Sequence, residues 1–384
     1  MKPRIAIVGA GIGGLSCALA LQRVGFSPRV YDQMPIVGEV GAGIGLWPGA
    51  VDSLDQIGVS DWFWQLPVCR FTRAETCSPS GRVLTGFDVS EMTGGRGFVV
   101  RRTDLHRALV EQVDPSRMTL GAELVGLRQD PDSVTLRFAD GTTAEADFVI
   151  GADGVRSAVR TATIGAAEPR YSGETCYRGM AEIAVAESGT LREVQGRGRR
   201  CAVHPLDPAH VYWWAAIRTP AGVEDDPAER KEVLARAFRG WQFGFPEALA
   251  ATPAETILRN DLFDRPALKK WSQGRVTLLG DAAHPTTPNL GLGGCMAIED
   301  GVVLARALAE HDGQYEGAFA QYERERHRRT ARVVRMSAMF GRIGSLTGPR
   351  QVRLREAVMS IAPTPLIARA FAAPVTYQPG PLVR

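Results

Sequence analysis

The sequence lacks the features that mark several classes of protein. Its 384 residues include six cysteines, which are Cys17, Cys69, Cys77, Cys176, Cys201 and Cys295. None of them forms a C-x-x-C pair, so neither a zinc site nor a disulfide framework is indicated and no metal is expected. The formal net charge of +3 is too close to neutral to predict nucleic-acid binding. There is no internal repeat and no low-complexity linker.

The sequence also has no run that predicts a membrane span. Residues 5–21 carry no charge, but four glycines interrupt them, three of which belong to the motif described below. No small-residue cleavage site follows, which argues against a signal peptide as well. The basic run from Arg324 to Arg335 is interpreted as one solvated face of a late helix. With 45% apolar and 23% charged residues, we expect a soluble, cytoplasmic protein with no integral membrane segment. The length suits two domains or one large composite domain.

What the sequence does contain is a glycine motif between two strand-type runs. Residues 5–8 (Ile-Ala-Ile-Val) are short and apolar, a helical pattern runs from Leu15 to about Val24, and residues 28–32 have the pattern of a second strand. Three glycines in G-x-G-x-x-G spacing follow the first run: Gly9, Gly11 and Gly14. Asp32 ends the second run, 18 residues beyond the last of them (32 − 14).

Each part of this unit has a physical role in dinucleotide binding. Gly9 permits a tight turn, Gly11 lets a pyrophosphate approach the backbone, and Gly14 lets helix and strand pack closely. The phosphates then lie on the unpaired N–H groups at the helix start. Asp32 stands near the separation expected for an acid that binds a ribose hydroxyl pair. An ordinary β-turn-α unit is the alternative.

Two further acids follow strand-type runs. Residues 146–150 lead into the sequence Gly-Ala-Asp-Gly-Val-Arg-Ser, which contains Asp153, and residues 276–281 form a buried strand that ends in Gly-Asp. An acid at the carboxyl end of a buried strand lies where open α/β sheets bind ligands. The glycine-dense loop at residues 40–50 indicates either close approach of its backbone to a ligand or a flexible connection.

The elements are arranged discontinuously along the chain. Three α/β pieces, residues 1–64, 98–165 and 270–340, are predicted to form one nucleotide-binding domain. Residues 65–97 and 166–269 are rich in β-type sequence and predict a second domain. Residues 341–384 are expected to be a C-terminal helical tail.

Taken together, three signatures resemble the single-component (group A) FAD-dependent monooxygenases, the aromatic hydroxylase family. They are the glycine motif, Asp153-Gly154 in its heptapeptide, and Gly280-Asp281 followed by Ala-Ala-His284-Pro285. The resemblance covers nearly all of residues 3–340. It implies an α/β fold in which a Rossmann-like FAD-binding domain, built from discontinuous segments, carries a β-sheet substrate domain and C-terminal helices.

The resemblance assigns FAD contacts to individual residues. Asp32 would bind the adenosine ribose, Arg102 the pyrophosphate or ribityl chain, and the backbone near Val125 the adenine. Asp281 would bind the ribityl hydroxyls, and Asp153 would serve FAD and a transient NAD(P)H contact. Alternatively, Arg102 is a surface helix charge, Asp153 a turn acid and Asp281 a helix cap.

A loop before a helix from about Cys295 to Ala309 is expected to face the flavin. Its backbone N–H groups and the helix dipole could stabilise negative charge on the pyrimidine ring, and simple turn chemistry is the alternative. The further cofactor-binding residues expected from this loop and the earlier glycine-dense stretch are Gly45, Pro288, Gly291, Leu292, Gly293 and Gly294.

This loop is most similar to the branch that holds FAD-dependent urate hydroxylases and plant-type zeaxanthin epoxidases. That branch usually has glutamine in place of Leu292 and asparagine in place of Gly49. We expect both differences to remove a polar group near the flavin.

A predicted hairpin supplies the substrate-binding candidates. Residues 199–205 and 210–217 have the pattern of two strands, and alternation places Arg200 and His204 on one face of the first strand. Tyr212 lies on one face of the second strand, together with Trp214. Whether the two faces coincide depends on the turn, because a one-residue slip reverses them.

In the urate hydroxylases an arginine and a tyrosine matching Arg200 and Tyr212 line the substrate pocket. The arginine could stabilise a phenolate-like substrate and the tyrosine could orient it. Sheet packing for Tyr212 and a structural role for His204 are the alternatives.

The resemblance implies a monooxygenase in which NADH or NADPH reduces bound FAD and O2 adds to give a C4a-hydroperoxide. One oxygen atom would then pass to a small aromatic or heteroaromatic substrate. The alternatives are an epoxidase or tailoring enzyme acting on an alkene or natural product, a flavin reductase, and a non-catalytic flavoprotein. Monomer and homodimer both remain open.

Overall fold

The computed structural model describes residues 2–36, 38, 42–59, 61, 64–65, 69–184 and 189–383. The strands are β1 (Ile5–Val8), β2 (Arg29–Asp32), β3 (Gly43–Leu46), β4 (Cys69–Arg70), β5 (Arg73–Cys77), β6 (Val83–Asp88), β7 (Phe98–Arg101), β8 (Met118–Leu120), β9 (Leu124–Gln129), β10 (Val134–Phe138), β11 (Thr143–Ala146), β12 (Phe148–Gly151), β13 (Arg170–Glu182), β14 (Thr190–Gln195), β15 (Arg199–Asp207), β16 (His210–Arg218), β17 (Leu258–Asp264) and β18 (Val276–Leu278).

The α-helices of the described part are α1 (Ile12–Arg23), α2 (Pro48–Gln56), α3 (Ser90–Thr93), α4 (Arg102–Gln112), α5 (Ala158–Thr163), α6 (Arg230–Ala237), α7 (Phe245–Ala251), α8 (Gly293–Glu310), α9 (Tyr315–Gly344), α10 (Pro349–Ile361) and α11 (Thr364–Val375). Short 3-10 turns lie at Pro115–Arg117, Ala254–Thr256, Gly280–Ala282 and Pro288–Leu290.

A five-stranded parallel sheet collects strands that are far apart in the chain. Its order is β18-β12-β1-β2-β8, and every neighbouring pair is parallel. All four residues of β1 are buried, as expected for a strand covered by helices on both faces. The predicted α/β class is confirmed, and the predicted C-terminal helices are present as α10 and α11.

A seven-stranded, mostly antiparallel sheet has two unlike faces. Its order is β17-β13-β16-β15-β14-β5-β6, and all seven strands come from residues 65–97 and 166–269. One face packs Val211, Trp213 and Ala215 against α6 and α7 to form a separate apolar cluster. The opposite face lines a cavity. The division of the chain into domains remains a prediction.

The hairpin register settles which faces coincide. Arg200 pairs with Ala216, and His204 pairs with Tyr212 across β15 and β16. Directly opposed residues of an antiparallel pair share a face. The predicted sets containing Arg200 and Tyr212 therefore lie on the same side of the sheet, which is the side of the cavity.

Two element boundaries differ from the prediction, and glycine is the reason in both. Helix α1 begins at Ile12, so Gly14 lies in its first turn; a Cβ atom there would stand 1.9 Å from the carbonyl oxygen of Gly9. Helix α8 begins at Gly293 rather than Cys295. The glycine-dense stretch contains a strand, β3, that pairs with β7; its residues 40–41 lie outside the described residues.

A buried ion network joins α8 to α9. The Asp300 carboxylate accepts hydrogen bonds from Arg326 Nε at 2.6 Å and from the backbone N–H of Gly280 at 3.0 Å. A 2.6 Å hydrogen bond also joins it to His284 Nε2. Burial alone would raise the pKa of Asp300, but attraction to His284 and Arg326 holds it well below its usual range.

The same network corrects the interpretation of the basic run as one solvated face. Arg324, Arg328 and Arg332 are exposed, but Arg326 is fully buried and Arg329 is nearly so. Both buried arginines bind Glu299 in α8, at 2.8 and 3.0 Å. The run therefore has an inward face that holds two helices together, which its charge pattern alone did not reveal.

No single helix of the described part is long and apolar enough to cross a membrane. Helices α10 and α11 reach the required length and composition only when joined, across a bend of 98°.

The ion network makes a testable contribution to stability. In Arg326→Met the carboxylates of Asp300 and Glu299 stay buried with one cation fewer, which costs about 3–5 kcal/mol. The urea midpoint should fall at an unchanged m value. Arg332→Met, on the exposed face of the same helix, is the matched control and should stay within about 0.5 kcal/mol of wild type. Equal midpoints for the two variants would contradict the role assigned to Arg326.

Candidate active site

The glycine motif forms a tight turn that requires glycine at position 9. Gly9 has a φ of +107°, and a Cβ atom there would stand 2.4 Å from the carbonyl oxygen of Ala152. Gly11 is the N-cap of α1, and neither a capping side chain nor an acid occupies the first turn. The positive end of this helix is therefore open to an anionic group.

Asp32 holds the backbone of the turn. Its carboxylate accepts hydrogen bonds from the N–H groups of Ala10 at 2.6 Å and Met34 at 2.8 Å. The carbonyl oxygen of Asp32 accepts from the N–H of Ala122 at 2.8 Å, which brings the start of β9 alongside. Val125, in β9, is exposed. A carboxylate oxygen has two lone pairs, so Asp32 retains acceptor capacity for ribose hydroxyls.

Asp153 forms hydrogen bonds with the start of the helix that follows it. Its carboxylate accepts hydrogen bonds from Ser157 Oγ and from the N–H of Val159 at 3.0 Å, at the beginning of α5. Burial raises the pKa of Asp153 against these hydrogen bonds. This geometry matches the turn-acid alternative, and a contact with FAD or NAD(P)H remains a prediction.

A cavity of about 950 Å³ lies between the cofactor-binding segments and the seven-stranded sheet. The cavity brings together most of the residues predicted to bind the cofactor or the substrate. Those that line it are Gly45, Arg102, Arg200, His204, Tyr212, Asp281, Pro288, Gly291, Gly293 and Gly294.

The turn that carries Asp281 is fixed by the ion network beneath it. The carboxylate of Asp281 faces the cavity, and removal from bulk water raises its pKa although His284 and Arg102 oppose the shift. Helix α8 starts beside it with Gly293 and Gly294 on the cavity wall and no acid in its first turn. The helix dipole therefore directs positive potential into the cavity.

Leu292 and Gly49 do not line the cavity. The Leu292 side chain is buried in the core, so only its backbone remains a candidate for cofactor contact. At Gly49, a Cβ atom would stand 2.4 Å from the carbonyl oxygen of Tyr377. The expectation that both differences remove a polar group near the flavin is therefore not supported: at Gly49 the C-terminal segment occupies the space of a side chain.

The guanidinium of Arg200 is committed to partners within the protein. It makes a two-point ion pair with Glu174, through Nε at 3.0 Å and a terminal nitrogen at 2.9 Å, and a further one with Glu193 at 3.3 Å. It also donates to Asn289 Oδ1, next to the Pro288 turn. Arg200 thus connects the sheet to the predicted flavin loop, and two carboxylates balance its charge.

His204 is held neutral. Burial lowers the pKa of His204 to about 4, and its Nε2 accepts a hydrogen bond from Trp214 Nε1 at 3.2 Å. Nδ1 must then carry the proton, and it has no hydrogen-bond partner among the described residues.

Tyr212 packs directly against Gly43 of β3, in the segment next to the predicted cofactor-binding residue Gly45. A Cβ atom at Gly43 would stand 2.4 Å from the Tyr212 ring, so glycine is required for this close approach. Burial raises the pKa of Tyr212 to about 12, although the charge of Arg178 opposes the shift. The hydroxyl is therefore protonated at neutral pH and available as a donor.

Several lining residues were missed by the sequence analysis. Arg178 lies in β13 beside the hairpin, and Asn260 lies in β17 on the far side of β13. Trp47 is the N-cap of α2, and Phe371 lies in α11. The alternation that selected Arg200 and His204 would also have selected Arg178 within β13. No local pattern marks Phe371, because α11 reaches the cavity through tertiary packing alone.

These residues fit the dinucleotide that the motifs imply. The first turn of α1 is open, the start of α8 presents glycine backbone to the cavity, and Asp281 faces it. In addition, the buried indole N–H of Trp47, close to Gly291, has no partner among the described residues. A hydrogen-bonding ligand in the cavity would satisfy it.

Comparisons with known proteins agree with this geometry. A family model described as "FAD binding domain" matches residues 2–337. The chain is 36% identical over 362 residues to an aurachin C monooxygenase/isomerase of Stigmatella aurantiaca, covering 92% of this chain and 93% of the relative. It is 32% identical over 363 residues to an FAD-dependent urate hydroxylase of Klebsiella pneumoniae, with coverage of 91% and 94%.

One solved structure extends the comparison to the whole fold. Klebsiella pneumoniae HpxO in complex with FAD and uric acid matches with a TM-score of 0.90 at 30% identity, over 99% of this chain and 98% of that one. The family resemblance predicted from the motifs is confirmed, and so is FAD as the cofactor.

The buried imidazole predicts a dependence of stability on pH. His204 has a pKa of about 4 in the folded protein and about 6.5 when unfolded. As pH falls below about 6.5 the unfolded chain binds the proton first, so stability is lost towards pH 4, by on the order of 3 kcal/mol. His204→Gln keeps an acceptor for Trp214 and should flatten the profile of melting temperature between these pH values. Profiles that stay parallel from pH 8 to pH 4 would contradict the neutral state of His204.

Proposed function

The chain belongs to the FAD-dependent monooxygenases that share this FAD-binding domain, and from that premise we propose that it uses NADH or NADPH and O2 to hydroxylate a small aromatic or heteroaromatic ring. The observation that carries the proposal is one cavity with two kinds of wall. Asp281 and the glycines predicted to bind the cofactor line one side, and the polar face of the seven-stranded sheet lines the other.

The cofactor-binding side would be built from residues already in place. Asp32 would bind the ribose, Arg102 the phosphates or ribityl chain, and Asp281 the ribityl hydroxyls. When bound, FAD supplies the redox chemistry, accepting two electrons from the nicotinamide and delivering one oxygen atom of O2 to the substrate. The N–H groups at the start of α8 would stabilise negative charge on the flavin ring.

The sheet side would position the substrate and exclude water. Tyr212 can donate a hydrogen bond from its protonated hydroxyl, and His204 fixes the Trp214 ring beside it. Arg200 would act by holding Asn289 at the flavin loop, since its charge is already balanced. Apolar side chains, among them Phe71 and Phe371, line the rest of the cavity and would keep bulk water from the reacting atoms.

The apolar part of the cavity wall supports a second candidate, a tailoring enzyme for a larger natural-product intermediate. The cavity of about 950 Å³ would hold the flavin ring as well as the substrate. Its apolar lining from α10 and α11 suits an extended substrate. One relative is named an aurachin C monooxygenase/isomerase and another a urate hydroxylase, so the relatives are named for different compounds.

Asp281→Ala should weaken FAD binding. The change removes a charged acceptor, and hydrogen bonds to charged groups contribute about 1.5–3 kcal/mol, so affinity should fall roughly 10- to 100-fold. The ratio of flavin to protein absorbance after purification, and reconstitution titrations, measure the loss. Glu111→Ala, an exposed acid in α4, is the control. A variant with full flavin content would remove Asp281 from the site.

Stoichiometry under 18O2 distinguishes the candidate activities. A panel of aromatic, heteroaromatic and prenylated ring compounds is screened for stimulated NAD(P)H oxidation, with peroxide measured alongside. A monooxygenase should incorporate one labelled atom into product for each NAD(P)H consumed, and peroxide should fall as product rises. Oxidation of NAD(P)H with no labelled product from any compound would favour a reductase and contradict the proposal.

A further inference from the structure

The arginines that line the cavity differ in whether a carboxylate pairs with their charge. Five arginines contribute to the lining: Arg102, Arg178, Arg192, Arg200 and Arg259. Arg200 is paired with two glutamates, Arg192 with Glu75 at 2.9 Å, and Arg259 with Asp261 at 3.3 Å. Arg102 belongs to the cofactor-binding side, opposite the carboxylate of Asp281.

Arg178 differs from the other arginines of the sheet face. Its side chain donates a hydrogen bond to the neutral amide oxygen of Asn260 at 3.2 Å and interacts with the Tyr212 hydroxyl. It forms no ion pair with any described residue, so both of these partners are uncharged. Arg178 lies in β13 directly opposite Trp214 of β16. Neighbouring Met180 pairs with Tyr212 in the same register, so Arg178 and Tyr212 share the face that lines the cavity.

An uncompensated guanidinium in a partly desolvated cavity favours an anion. Burying a charge is costly unless an opposite charge or hydrogen bonds compensate it. A guanidinium offers a planar fork of donors that matches the two oxygens of a carboxylate, or a phenolate oxygen, in charge-assisted hydrogen bonds. Glu174, on the same strand, is already occupied by Arg200.

We propose that Arg178, assisted by the Tyr212 hydroxyl, binds an anionic oxygen carried by the aromatic substrate, as an ionised ring hydroxyl or a ring carboxylate. The inference rests on the proposed function, because it assigns the substrate class of that same cavity. It also replaces the sequence-based expectation for Arg200: the anion-binding arginine is the one without a carboxylate partner, in β13, with β16 between it and the strand of Arg200.

The arrangement also explains how a ring would be oriented. Trp214 lies between the two arginines, opposite Arg178 in the sheet register and with the Arg200 guanidinium 5.5 Å from its ring centroid. An anionic oxygen held by Arg178 would fix one edge of the substrate over this apolar surface. The remaining edge would then be directed towards the loop that holds Gly291.

The test compares an anionic and a neutral probe of the same shape. Benzoate and benzamide are titrated into the FAD-bound enzyme at pH 7.5, and binding is followed by the perturbation of the flavin absorbance. Wild type should bind benzoate roughly tenfold or more tightly than benzamide. Arg178→Met should lower benzoate affinity by roughly tenfold or more and change benzamide affinity less than about twofold.

Two further variants test whether the effect depends on the shape of the Arg178 guanidinium and on its position in the cavity. Arg178→Lys retains the charge without the planar fork, so its benzoate affinity should be intermediate; it also carries the test if the methionine variant fails to fold. Arg128→Met, a surface strand arginine paired with Asp130, should bind both probes as wild type does.

Several outcomes would overturn the proposal. These are equal affinity of wild type for both probes, no measurable benzoate binding, and an equal loss for both probes in Arg178→Met. A protein that holds no flavin, or oxidises no NAD(P)H, would instead refute the proposed function. Calorimetric titration with the same two probes would still report on Arg178 in that case.

Discussion

The structure depends on the buried carboxylate of Asp300. It accepts hydrogen bonds from Arg326 in α9 and from the backbone N–H of Gly280, and it is hydrogen-bonded to His284. These contacts fix the turn that presents Asp281 to the cavity and lock α9 onto the helix whose first turn forms the cavity wall. The position of Asp281, which we propose binds the cofactor, and the placement of the α8 N-terminus therefore both depend on the ionised carboxylate of Asp300. Because the network is fully buried, removing any partner would disturb site and stability together.

The two faces of the seven-stranded sheet have different roles, because successive residues of each strand point to opposite faces. Residues such as Trp213 and Ala215 pack with α6 and α7 on one face, and their neighbours Tyr212 and Trp214 face the cavity. The apolar face gives the sheet a rigid support, so the polar face can carry arginines, a neutral histidine and a protonated tyrosine at fixed spacing. Among these arginines, the one without a carboxylate partner is Arg178, which we propose selects an anionic substrate.

Short sequence patterns predicted those turns and strands whose geometry depends on residues close together in the chain. The G-x-G-x-x-G turn, the strands that flank it and the glycine loop before α8 are dictated by backbone geometry, and they were found from spacing alone. The two faces of the β15–β16 hairpin were also predicted, except for their relative register, which the turn decides. The family resemblance added FAD and the monooxygenase class.

Long-range pairing accounts for what the sequence could not reveal. Arg200 is neutralised by Glu174, 26 residues away, and contacts Asn289, 89 residues away. Arg326 belongs to a basic run yet faces inward to an acid pair in α8. Gly49 lacks a side chain because the C-terminal segment lies against it. Each of these facts depends on which elements meet in three dimensions. The most direct test of the account is a crystal structure of the enzyme with FAD: the flavin ring should lie in the cavity between the first turn of α8 and the sheet face that carries Arg178. A flavin ring bound outside this cavity would contradict it.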